Sequence, residues 1–68
     1  MITDTRYTIE LLDRQNRLID EIIANNESDY ENTLYAVFGD SNVDAVHITK
    51  TDFYDDFHCE TTYKTIAA

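Results

Sequence analysis

Apolar positions repeat at helical spacing from the start of the chain. Between about Thr5 and Asn25, at about 100° per residue, Tyr7, Leu11, Leu12, Leu18, Ile19, Ile22 and Ile23 fall in one arc about 160° wide. Glu10, Asp13, Arg14, Arg17, Asp20 and Glu21 fill the opposite side. No Gly or Pro interrupts the run. The pattern predicts one long helix, capped by Asp4 or Thr5 and ended at Asn25-Asn26. Glu10 to Arg14, Asp13 to Arg17 and Arg17 to Glu21 are i,i+4 spacings. On a helix such pairs contribute a few tenths of a kcal/mol each.

The spacing then predicts a second, shorter helix over Asp29 to Phe38. Ser28 followed by Glu31 has the spacing of a capping box, and Tyr30, Leu34, Val37 and Phe38 recur at helical intervals before Gly39. A strand competes for the same residues, because Thr33 to Phe38 is rich in β-formers. Asp40 to Asn42 reads as a turn. Val43 to Tyr54 and Phe57 to Ile66 read as two strands around Asp55-Asp56. A tight turn there pairs His47 with Lys64 and Phe53 with His58. One face then holds Val46, Ile48, Tyr54, Phe57, Cys59 and Tyr63, with Asp52 and Lys50 as exceptions, and the other holds His47, Thr49, Thr51, Phe53, His58, Glu60, Thr62 and Lys64. One apolar face and one polar face suit an antiparallel sheet covered by helices. The expected fold is a single α+β domain over residues 1–68: a long N-terminal helix, a short second helix (or strand), then a C-terminal antiparallel β-hairpin.

With 68 residues, 43% of them hydrophobic, the chain can bury one small core. It carries fourteen acids against five bases, a formal charge of −9. The imbalance has a location: Leu18 to Thr49 contains seven carboxylates and no Lys or Arg. Arg14 and Arg17 compensate the predicted first helix, and past Arg17 nothing does. Asp20 and Glu21 then fall near the negative end of a helix dipole, an unfavourable place that a functional need for charge would explain. A surface of this sign disfavours direct contact with nucleic acid or an anionic membrane and favours a basic partner. Cys59 has no internal disulfide partner, Met1 to Glu10 lacks the features of a signal peptide, and no run is long enough to span a membrane. These features point to a cytoplasmic protein.

Catalytic and metal chemistry finds little support. Asp40-Ser41-Asn42-Val43-Asp44 opens like a calcium loop, but Ala45 stands where that loop needs Gly and Thr51 where it needs Glu. His47 and His58 share a face in the expected register while Cys59 points away, so tetrahedral zinc is not assembled. Cys59 lacks the cationic neighbour or helix terminus that activates a thiol. One Gly cannot build a phosphate loop. No enzyme activity, cofactor or metal is expected.

In size, charge and α+β pattern the chain resembles small acidic proteins that phages and mobile elements direct against host nucleic-acid enzymes, among them anti-CRISPR proteins and DNA-mimic inhibitors. The resemblance is one of composition and includes no motif. It implies an inhibitor or regulator that occupies the nucleic-acid-binding surface of a larger protein. Asp20, Glu21, Glu27, Asp29, Glu31, Asp40 and Asp44 are the expected electrostatic contacts, with Tyr35 as an aromatic anchor. The alternative is a structural or assembly module, as a homodimer, whose acidity serves only solubility.

Overall fold

The computed structural model describes residues 1–67. In chain order it holds β1 (Ile2–Leu12), β2 (Leu18–Ala24), α1 (Glu27–Val37), β3 (Ala45–Tyr54) and β4 (Cys59–Ala67). The four strands form one antiparallel sheet in the order β2-β1-β3-β4. The long N-terminal helix is therefore corrected: Thr5 to Asn25 is most of a β-hairpin, and the fold is mostly sheet with one short helix.

The physical reason lies in Ile9. It falls just outside the helical arc, yet it is fully buried (0% exposed). Tyr7, Ile9 and Leu11 alternate with Thr8 and Glu10, and alternation is what a strand with one covered face requires. Ile9 is opposite Ile22 on one side and Ile48 on the other, while Leu11 meets Val46. The i,i+4 pairs behave accordingly. Asp13 and Arg17 do meet, Arg17 Nε lying 3.1 Å from Asp13 Oδ2, but across the β1–β2 turn. Among the described residues Glu10–Arg14 and Arg17–Glu21 form no ion pair. With no helix there, the dipole argument at Asp20 and Glu21 falls away. A different repulsion replaces it, because Glu21 stands directly opposite Glu10.

Of the two readings for the middle of the chain, helix is observed. It starts two residues before the predicted Asp29, because Asn26 rather than Ser28 is the cap. Asn26 Oδ1 accepts the Asp29 N–H at 2.8 Å, and Asn26 Nδ2 donates to Asp29 Oδ2 at 3.0 Å. Gly39 follows without entering the left-handed region. Tyr30, Leu34 and Val37 turn toward the sheet and pack with Tyr7, Ile9, Leu11, Ala24, Val43, Val46 and Ile48. The Tyr7 and Tyr30 rings stack with centroids 4.1 Å apart.

The β3–β4 hairpin forms, with a register one residue from the expected one. Phe53 pairs with Cys59 and His47 with Thr65. The cause is a three-residue loop. Tyr54 N–H donates to His58 O at 3.0 Å, Phe57 N–H donates to Tyr54 O at 3.2 Å, and Phe57 takes a left-handed φ of 65°. A slip of one residue exchanges the faces of a whole strand. Cys59, Thr61, Tyr63 and Thr65 therefore share the open face with His47, Thr49, Thr51 and Phe53. Glu60, Thr62, Lys64 and Ile66 lie on the helix side with Val46 and Ile48. The core-facing Cys59 is thus corrected to an exposed thiol.

The β1–β2 turn repeats this loop geometry. Asp13 N–H donates to Arg17 O, Asn16 N–H donates to Asp13 O, and Asn16 has φ 63°. Asn adopts that conformation readily, whereas Phe adopts it only with strain. Among the described residues no helix is long and apolar enough to cross a membrane.

Candidate interaction surface

Neither β2 (LIDEIIA) nor α1 (ESDYENTLYAV) contains a basic residue. The two pack side by side, since β2 is an edge strand and α1 follows it and covers the sheet beside it. An open groove between them is apolar along Ile22, Ile23, Ala24, Ala36 and Val37 and is bordered by the polar Asp29, Asn32 and Thr33. Five of the expected contact residues, Asp20, Glu21, Glu27, Asp29 and Glu31, belong to this flank, and all five are exposed. Tyr35, on the same helix, is 88% exposed.

The five carboxylates differ in their local tasks. Asp20 accepts the N–H of Glu21 at 2.8 Å, and Asp29 is engaged by Asn26 in the helix cap. Among the described residues the carboxylates of Glu21, Glu27 and Glu31 have neither a hydrogen-bond donor nor an ion-pair partner within the chain. Asp20 and Glu21 are neighbours on a strand, so they project to opposite faces of the sheet. The flank is therefore charged along both faces of the β2 edge.

Asp40 and Asp44 lie apart from it. Asp40 Oδ1 accepts the Asn42 N–H at 2.9 Å and holds the turn after α1. It lines a depression shared with Asp13, Arg14 and Ile19 at the β1–β2 turn, so a base does stand beside it. Asp44 fastens the start of β3 by donating its N–H to Leu12 O at 2.8 Å. The base-free stretch of sequence is thus narrower as a surface, ending where the chain leaves α1.

The bases lie elsewhere: Arg6 on β1, Arg14 and Arg17 in the β1–β2 turn, Lys50 on β3 and Lys64 on β4. Arg6 is over the Phe53 ring at 5.5 Å and Lys50 is 5.9 Å from the Tyr7 ring centroid. The turn is pinned by Asp13, which accepts the N–H groups of Gln15 and Arg17, both at 2.9 Å. The Arg17 N–H is the largest influence holding the Asp13 carboxyl below its ordinary value; partial desolvation opposes it, and the Arg17 charge reinforces it.

At the tip of the β3–β4 hairpin stands a feature that the sequence pattern does not signal. Phe57 is fully exposed (101%), in the left-handed conformation described above. Beside it the Tyr54 and His58 rings stack at 4.3 Å, His58 Nδ1 contacts Asp56, and Tyr54 Oη donates to Glu60 at 3.0 Å. That bond to Glu60, with desolvation behind it, raises the Tyr54 phenol above its ordinary value. Asp tolerates a left-handed backbone, yet the positive φ falls on Phe57 and not on Asp55 or Asp56, so residue preference does not announce this loop. Among the described residues no group of three or more His, Cys, Asp or Glu side chains is placed to hold a metal ion.

No family model matches the chain, nor does any curated protein or solved structure. The likeness to phage-encoded inhibitors, DNA mimics and anti-CRISPR proteins is withdrawn. Of its grounds, size and charge are shared by many small acidic proteins, and the α+β pattern fails because the molecule is mostly antiparallel sheet.

Proposed function

We propose that this is a non-enzymatic binding protein whose β2–α1 flank engages the basic surface of a larger protein, of the kind that nucleic-acid-binding proteins present. The observation that carries the reading is the flank itself: five exposed carboxylates and no base on two elements packed around an open apolar groove. Glu21, Glu27 and Glu31 are free to accept charge-assisted hydrogen bonds from Lys or Arg. The Ile22–Val37 groove supplies apolar contact, and Tyr35 offers an aromatic side chain at low entropic loss. Direct nucleic-acid or anionic-membrane binding is disfavoured by the same charges. The free, exposed thiol of Cys59 supports a reducing compartment such as the cytoplasm in this reading.

The test compares two charge-matched variants on a resin, challenged with cell lysate. In the flank variant Asp20, Glu21, Glu27 and Glu31 become amides; in the control Asp4, Asp44, Asp55 and Asp56 do. Partners captured by the wild type at about 0.05 M salt should be kept by the control, lost by the flank variant, and released from the wild type by about 1 M salt. Equal loss from both variants refutes the assignment to the flank. Retention of every partner at high salt refutes the electrostatic account.

A further inference from the structure

The two edges of the sheet differ in a way that selects a partner. β2 carries only acids, Asp20 and Glu21, so two β2 edges repel. β4 carries one acid and one base, Glu60 and Lys64, with no Pro, and every residue from Cys59 to Thr65 is exposed. Tyr63 is 80% exposed. Such an edge is a template for another strand unless something blunts it.

Its free backbone groups follow from the hairpin. Because Tyr54 N–H donates to His58 O, the hydrogen-bonded pairs of β3 and β4 are the alternate ones from there: Asp52/Glu60, Lys50/Thr62, Ile48/Lys64 and Val46/Ile66. The N–H and C=O groups of Cys59, Thr61, Tyr63 and Thr65 therefore point away from the sheet. We infer that β4 pairs antiparallel with β4 of a second copy, about a two-fold axis at Thr62. Thr61 then exchanges two hydrogen bonds with the Tyr63 of the second copy, and Cys59 does so with Thr65.

Charge selects this register among its neighbours. With the axis at Thr62, Glu60 of each copy lies opposite Lys64 of the other, twice over. These are non-hydrogen-bonded pairs, the closer type, in which side chains interact best. An axis at Thr61 puts Glu60 opposite Thr62 instead, and an axis at Tyr63 puts it opposite Ile66. Among the described residues Lys64 has no acidic partner within its own chain, so it is available. A β4–β2 contact would be head-to-tail and would grow without closing, whereas β4–β4 closes at two. The result is an eight-stranded sheet with both helices on one side and the acidic β2–α1 flanks at its far ends. That separation keeps the two net charges of −9 apart. The inference does not depend on the proposed function, because Glu60 and Lys64 lie outside the flank.

Cross-linking reads the register directly. In a non-hydrogen-bonded antiparallel pair the Cα atoms are about 4.5 Å apart, within the range of a disulfide. The variant Cys59→Ser/Thr62→Cys should form a covalent dimer on mild oxidation, doubling the 7.9 kDa mass. Cys59→Ser/Thr61→Cys should not, because Thr61 faces Tyr63 rather than itself. Equal cross-linking of both, or of the Thr61 variant alone, overturns the register. Sedimentation at about 0.15 M salt, over about 1 μM to 1 mM protein, tests the association without engineered thiols. Glu60→Lys and Lys64→Glu should each weaken the dimer about tenfold, and the double exchange should restore it. A wild type that stays monomeric throughout, or a double exchange that fails to recover, refutes the dimer.

Discussion

Replacing Phe57 should make this protein more stable, although it removes a large apolar side chain. At φ 65° an L residue is about 1–2 kcal/mol above its right-handed alternative, because Cβ crowds the following carbonyl. Burial offsets none of this: the residue is 101% exposed, so deleting the ring returns no apolar area to water. Asn tolerates the left-handed region, and the chain already uses it at the equivalent place in the other hairpin, Asn16 with φ 63°. Phe57→Asn should therefore stabilise by about 1 kcal/mol. Phe57→Gly relieves more strain but gains about 0.5–1 kcal/mol of unfolded-chain entropy, so its net benefit is somewhat smaller. For a domain of this size about 1 kcal/mol moves the Tm by about 4–8 °C. Thermal unfolding followed by circular dichroism reads that shift, and urea unfolding should show a higher midpoint at unchanged slope. Asn16→Phe is the mirror experiment and should lower the Tm by a similar amount. A fall in Tm for both Phe57 variants would refute the reasoning, since it would mean that the ring is packed or the loop is not left-handed.

Two further outcomes follow from the core and the first turn. Ile9→Val should cost about 1 kcal/mol in urea unfolding and Ile9→Ala about 2–5 kcal/mol, enough to unfold most of so small a domain; a neutral Ile9→Ala would contradict its central place between β2 and β3. Asp13 is held below its unfolded-state value, so its stabilising effect is full above that value and is lost as pH falls through the lower, folded one. The stability advantage of wild type over Asp13→Asn should thus shrink between about pH 5 and pH 2, and parallel pH profiles of Tm would remove the turn from this role.

Some of this molecule is legible in local sequence. The one helix is visible because its inward residues Tyr30, Leu34 and Val37 lie within a few residues of one another, although its cap is Asn26 and not the Ser28 that the spacing singled out. Strands β3 and β4 are visible because both runs are rich in β-branched and aromatic residues and flank the Asp55-Asp56 turn. The acidity of β2 and α1 is likewise a property of consecutive residues, and their adjacency on one flank follows from a short connection. Composition determined the sign of the surface and the single small core.

The first third of the chain was decided otherwise. Tyr7 and Leu11, and Leu18 and Ile22, satisfy a helical period and a strand period nearly equally, and local charge spacings favoured the helix. What resolves the ambiguity is distant: β1 lies between β2 and β3, pairing with Ala45 to Tyr54 along almost its whole length. Only that pairing gives Ile9 a buried place. The register of β4 was decided in the same manner, by one backbone angle at Phe57 that no residue preference announces. Periodicity is a short-range quantity, while strand pairing is a contact between residues up to about fifty positions apart, here Ile2 with Tyr54. Charge and one helix belonged to the sequence; which faces meet, and which edge stays open, belonged to the tertiary structure.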